Sequence, residues 1–145
     1  MRTLVGVIET PIALTNTFSV PAVAAAQIRA TVAANPQCGR SLPSVNPLVL
    51  ECNDGILNDL QAMAVDAEHY DAALAAAGPV VPQGAVGAGR GMSCFGVKGG
   101  IGTSSRVAPL ANGATATVGA GGTVNFPMIL VRAIQDGNYG YANVS

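Results

Sequence analysis

The only histidine of this 145-residue chain, His69, lies one position before Tyr70 in a stretch with helical patterning. A Ser–His–Asp triad would need it as the general base, but at that place it reads as a solvent-facing helix residue. The three cysteines, Cys38, Cys52 and Cys94, form no C-x-x-C pair, so neither a local zinc knuckle nor a thioredoxin-like site can be built. They read as reduced, partly buried thiols, which favours the cytoplasm and leaves the periplasm open. Glycines crowd positions 84–102, which first suggests a phosphate cradle. A Walker loop requires Gly-Lys-Ser/Thr four residues after its first glycine, yet Lys98 stands between Val97 and Gly99. No register of these glycines supplies G-x-G-x-x-G opening a helix after a strand. They read as tight turns and close backbone packing, and no nucleotide, metal or other cofactor is implied. An enzyme made from these residues must work without histidine and without metal. One such chemistry uses a chain-terminal amine as the base for its own hydroxyl nucleophile.

The elements that would position such a site alternate between strands and helices. Leu4–Glu9 reads as a first strand, and Pro11 opens a second extended piece, Ile12–Thr17. Pro21 sits where a helix accepts it, and Ala22–Ala34 is helical by propensity, with Ala25, Ile28 and Val32 on one face and Gln27, Arg29 and Thr31 on another. A Pro-rich loop leads to a short strand, Leu48–Leu50, then a turn at Asn53-Asp54-Gly55. Asp66 reads as the N-cap of a second helix whose stripe is Ala67, Tyr70, Leu74 and Ala77. One short strand, Met92–Val97, follows among the glycines, then a strand over Ala114–Val124 and an apolar run, Met128–Ile134. The fold class is mixed α/β (α+β), in one domain spanning 1–145. Charged residues make up 10% of the chain and apolar ones 50%, against about 25% charged in ordinary soluble domains. A net charge of −1 with scattered basic residues excludes a nucleic-acid groove or a polybasic membrane patch. The apolar runs are too broken by glycine for a membrane span.

The run from Gly84 through Gly89-Arg90-Gly91-Met92-Ser93-Cys94 and Lys98-Gly99-Gly100-Ile101-Gly102-Thr103 to Arg106 closely resembles a signature of one family, the DmpA-type aminopeptidases. These are L-aminopeptidase/D-Ala-esterase/amidases and β-peptidyl aminopeptidases. Three further blocks agree in family order: Ile8-Glu9-Thr10-Pro11 to Thr17 with "ETPI-x-LTNT", Glu51–Asp59 with "E-x-x-D-G-x-L-N-D", and Thr117-Val118-Gly119 to Asn125-Phe126 with a "TVG…NFG" strand. The resemblance covers about residues 5–126 and fades over a divergent tail, 127–145.

This resemblance implies a four-layer α/β/β/α sandwich of the N-terminal-nucleophile-hydrolase kind. It also implies a precursor that cleaves itself before a serine, whose freed amine then serves as the base. Substrates would be short peptides, amides or esters with a free amino terminus. Glu51 matches the family glutamate that holds the substrate's amino group, and Asn125 the asparagine whose amide helps form the oxyanion hole. Asn53 stands where the family usually has a larger ring or apolar residue facing the acyl pocket. Gly99, Gly100 and Thr103 would shape the backbone beside the site. Other departures are Gly121-Gly122-Thr123 in place of bulkier strand residues and Pro127 in place of glycine. No Gly-Ser dipeptide occurs in the sequence, so no nucleophile is assigned here, and the expectation is a partial, incomplete domain. Its partners would be a nucleophile-bearing second chain or missing C-terminal segment, its substrate and further copies in a homo-oligomer, with no nucleic acid and no membrane. The rival reading is a catalytically inactive homologue acting as a peptide-binding or assembly module. If an interior stands uncovered, the isolated chain should associate through exposed strand edges and apolar faces. Size-exclusion chromatography with light scattering checks this, and a monodisperse monomer would count against it.

Overall fold

Consecutive apolar residues in Ile12-Ala13-Leu14 call for a strand covered on both faces. In the computed structural model, which describes residues 8, 10–110, 112–123, 132–134 and 142–143, strand β1 (Ile12–Asn16) is buried from Ile12 through Thr15. Helix α1 (Val20–Ala34) follows, and strand β2 (Leu48–Cys52) returns parallel to β1, a βαβ unit. The register pairs Ile12 with Leu48 and Asn16 with Cys52, so the two strands end level. Residues Ala142–Asn143 add a short parallel strand to the other side of β1. The strand expected over Leu4–Glu9 lies outside the described residues, Ile8 apart.

Alternation along the strands sorts side chains into two cores. Ala13 and Val49 meet Val23 and Ala26 of α1, together with Val65, Tyr70 and Leu74. On the opposite face Leu14, Leu50 and Cys52 pack with Ala88, Met92 and Ile101. Helices thus cover one face of the parallel pair, and the glycine-rich segment covers the other.

Helix α1 starts slightly earlier than its alanine run suggests, with Pro21 in the first turn. Its buried residues are Val23, Ala26 and Gln27, whereas Ile28 and Val32 are 39% and 40% exposed. An alanine-rich helix has no strong apolar face of its own, so tertiary bonding decides which side turns inward. Gln27 Nε2 donates to the carbonyl of Pro11, satisfying a backbone acceptor at the start of β1 that burial would otherwise orphan. Burial also pushes the Tyr70 phenol up, with Gln27 partly offsetting the shift.

Helix α2 (Ala67–Ala75) begins at Asp66, as its sequence signals require, and its stripe of Ala67, Tyr70 and Leu74 joins the helix-side core. The cap is a box: Asp66 Oδ1 accepts from the amides of Glu68 and His69 at 3.0 and 3.3 Å. His69 Nδ1 lies 2.7 Å from the same oxygen and 3.3 Å from the Asp66 amide. One ring nitrogen cannot donate and accept at once: as Nδ1–H it donates to the carboxylate, and as bare Nδ1 it accepts from the Asp66 amide and closes the box.

Beyond the helices the structure departs from the sequence reading. The single strand expected over Met92–Val97 is a hairpin of β3 (Ser93–Cys94) and β4 (Val97–Lys98). Phe95 and Gly96 form its turn with φ of 52° and 78°, the doubly positive pattern of tight hairpins. Strand β5 (Ile101–Pro109) was not legible at all. It pairs antiparallel with β6 (Thr115–Thr123) from Ile101↔Thr123 to Pro109↔Thr115, and β6 pairs with β7 (Arg132–Ile134). Residues 103–107 of β5 are all exposed, so no hydrophobic period marks them, and the ladder to β6 orders them instead. Large apolar side chains stand open to solvent at Ile56, Val80 and Phe95. Among the described residues no helix is long and apolar enough to cross a membrane.

The α2 cap generates a pH prediction. The His69 side chain, then its backbone amide, hold the Asp66 carboxyl below its ordinary value of 3.8. A lowered acid stabilises the fold above its unfolded value and loses that contribution as pH falls through the folded one. The protection factor of the His69 amide, its exchange relative to an unstructured peptide at the same pH, should therefore hold down to about pH 5 and fall only below 3.8. A protection factor already lost at neutral pH would contradict the capping geometry.

Candidate active site

The parallel pair ends where Glu51-Cys52 leave the sheet, and such carboxyl ends of strands are the usual ligand-facing edge of α/β sheets. Glu51 pairs in register with Thr15, and its side chain is exposed. Its Oε2 accepts a hydrogen bond from Thr17 Oγ1 at 2.5 Å, although the two residues are 34 positions apart. Thr17 opens a single 3₁₀ turn, Thr17–Ser19, whose start is capped by Asn16: its Oδ1 accepts from the Ser19 amide at 3.1 Å. One carboxylate oxygen is therefore held by a hydroxyl, and a carboxylate so held can pair an ammonium through its other oxygen.

Asn53 follows directly. Its Oδ1 accepts from the Gly55 amide at 3.0 Å, so the side chain closes an Asx turn while remaining exposed. Asp54 turns the other way and is 7% exposed. Its Oδ2 accepts from Asn58 Nδ2 at 2.7 Å, and its carbonyl accepts from the amides of Leu57 and Asn58. Beside this turn lies a cleft of about 350 Å³ whose walls include Asn16, Asp54, Asn58, Asp59, Arg90 and Gly91. Asn16 is the link, a wall of the cleft and the neighbour of Thr17.

The glycine-rich segment gives Gly87, Ala88, Arg90 and Gly91 to the cleft wall and is tied together by backbone contact. Gly84 and Ile101 exchange two 2.8 Å hydrogen bonds, and a Cβ on Gly100 would sit 2.6 Å from the Gly84 carbonyl oxygen. Lys98 Nζ donates to the carbonyls of Gly89 and Gly99 at 2.6 and 2.8 Å. Its ammonium therefore clamps the loop instead of waiting for a phosphate. Thr103 accepts from Gln83 Nε2 at 3.1 Å.

Of the residues singled out by sequence, Glu51 and Asn53 stand at this strand end, and Asn125 lies outside the described residues. Thr17 was missed. It sits in the quoted "LTNT" segment, but no local spacing links it to Glu51. Only the register of β1 against β2 does that.

Residues 3–136 match the family model described as Peptidase family S58. A beta-peptidyl aminopeptidase, BapA, from Sphingosinicella microcystinivorans is 49% identical over 84 residues, 57% of this chain and 21% of the relative. The BapA of Sphingosinicella xenopeptidilytica is 41% identical over 98 residues, 67% of this chain and 24% of the relative. The chain thus spans between a fifth and a quarter of the length of these curated relatives. The crystal structure of the PH0078 protein from Pyrococcus horikoshii OT3 superposes with a TM-score of 0.69 at 44% identity, over 74% of this chain and 30% of that one.

Packing at the cleft sets a stability prediction. A Cβ on Gly91 would lie 2.4 Å from both Asp54 Cβ and Asn58 Nδ2. Gly91→Ala should therefore destabilise by about 1–3 kcal/mol, the usual cost of overpacking, read as a lower urea midpoint. Gly102→Ala, which meets nothing within 4 Å, should leave the midpoint nearly unchanged.

Proposed function

The chain belongs to peptidase family S58, and on that premise we propose that it forms the substrate-amine and oxyanion side of a serine-type aminopeptidase or amidase. The observation that carries this reading is the Glu51 carboxylate, presented at the end of β2 with one oxygen held by Thr17. A free amino terminus enters as an ammonium and pairs with Glu51 by a charge-assisted hydrogen bond. That pairing fixes the scissile carbonyl at a set number of bonds from the carboxylate. The nucleophile is a serine on a second chain or segment, freed when a precursor cleaves itself, and its own amine takes the hydroxyl proton. Asn125 donates from its side-chain amide to the oxyanion as charge develops on the carbonyl oxygen. Short peptides, amides or esters are the substrates, with L-, D-alanyl or β-amino-acyl groups at the amino end. The relatives named for β-peptidyl substrates favour the last of these.

The architecture assigned to the whole protein is a four-layer α/β/β/α sandwich. The two covered faces of the parallel pair, helices on one and the glycine-rich segment with the start of β5 on the other, support that assignment. Faces left apolar, such as Phe95 and Val80, belong in this reading to contacts with the nucleophile-bearing part or with further copies in a homo-oligomer.

The experiment co-produces this chain with a nucleophile-bearing chain of the family and follows release of the aryl amine from β-alanyl and D-alanyl anilides. Glu51→Gln should lower kcat/KM by about 10- to 100-fold, the worth of a hydrogen bond to a charged group. Asn125→Ala should lower kcat by about 10²–10³, as loss of an oxyanion donor does. Activity that survives Asn125→Ala unchanged overturns the oxyanion assignment. Peptide binding without hydrolysis of any amino-acyl anilide would favour an inactive binding module.

A further inference from the structure

We propose that Thr17 is a positioning residue for amine recognition: its hydroxyl holds Oε2 of Glu51, leaving Oε1 to accept from the substrate's ammonium. This rests on the reading of Glu51 as the amine acceptor. The bond is 2.5 Å long, at the short end expected of a hydroxyl donating to a carboxylate. An exposed glutamate at a strand end has several rotatable bonds, and their freedom must be given up when a ligand binds. A hydroxyl that fixes the carboxylate beforehand removes that cost from the binding step.

Thr17 is itself well placed to act as a fixed point. Its branched side chain is stiff about χ1, and the residue is half-buried. The turn it opens is tied at Asn16 by the Ser19 amide. Two other exposed carboxylates, Asp59 and Asp66, find their partners within three residues and serve a turn and a cap. The Glu51 partner instead comes from another element, 34 residues away, and the bond joins the ends of the two parallel strands beside Asn16, itself a wall of the cleft. The same contact also limits specificity. A carboxylate that cannot swing holds the ammonium at one distance from the carbonyl, so it separates α-amino-acyl from β-amino-acyl groups, which differ there by one methylene.

The test uses the assembled enzyme and compares kcat and KM on β-alanyl and L-alanyl anilides for Thr17→Val, Thr17→Ser, Glu51→Gln and the double variant Thr17→Val/Glu51→Gln. Thr17→Val should raise KM for the preferred anilide about tenfold, the loss of roughly one charge-assisted hydrogen bond. It should change kcat by less than about threefold and narrow the preference between the two anilides. Thr17→Ser keeps the hydroxyl and should restore KM to within about twofold of the parent. In the Glu51→Gln background Thr17→Val should add nothing beyond about twofold, because the partner it acts through is gone. If Glu51→Gln raises KM and Thr17→Val does not, the positioning role is wrong and the Glu51 reading stands. If Glu51→Gln leaves KM unchanged, the Glu51 reading fails and takes this inference with it. An undiminished Thr17→Val effect in the double variant marks a merely structural contact and also overturns the proposal. Should Thr17→Val not assemble, Thr17→Ala is read by the same criteria.

Discussion

The parallel pairing of β1 with β2 is the constraint on which the rest of the molecule depends. Its register brings Thr15 opposite Glu51 and Asn16 opposite Cys52, so the chain after β1 and the chain after β2 leave the sheet side by side. A slip of one residue would exchange the two faces. Ala13 and Val49 would lose the helices, Leu14 and Cys52 would lose the glycine-rich segment, and Glu51 would turn away from Thr17. Both cores, the cleft and the held carboxylate thus follow from one alignment of two short strands.

Glycine serves that alignment by removing side chains where backbones must meet. Gly84 bridges Ile101, and neither Gly89 nor Gly100 could carry a Cβ without striking the Gly84 backbone. Lys98 spends its ammonium on two carbonyls of the same segment. A composition that looks loose is locally dense here, and the density lets the segment lie against Leu14, Leu50 and Cys52. On the other face the smallness of alanine has a similar use, since Ala13 and Ala26 let α1 approach β1 closely.

The strand–helix–strand start, the capped second helix and the turn after Glu51 were legible because each carries a local signal: apolar runs, Pro21 at a helix start, Asp66 as a cap, Asn53-Asp54-Gly55 as a turn. Strand β5 was not, because Thr103, Ser104, Ser105 and Arg106 have no apolar period and gain their order from β6. The buried side of α1 was hidden for a related reason. With alanine on every face, Val23 and Ala26 pack inward beside Gln27, which reaches the Pro11 carbonyl, while Ile28 and Val32 stay on the exposed side. The hairpin around Phe95 was read as one strand since Gly96 alone does not announce a reversal.

For the site the division is sharper. Taken alone, the sequence narrowed the kind of chemistry: one histidine in a helical stretch and no ligand cluster spaced along the chain left few mechanisms open, and ordered motifs that resemble the aminopeptidases pointed to Glu51 and Asn125 as candidate substrate-side groups. Only the tertiary structure decided what surrounds Glu51. Asn53 is drawn into an Asx turn with Gly55, Asp54 is buried against Gly91, and Thr17 supplies the hydroxyl that fixes the carboxylate. Motifs record contacts between near neighbours, whereas Thr17 and Glu51 are joined through a strand register spanning 34 residues, and that register exists only once the sheet has formed.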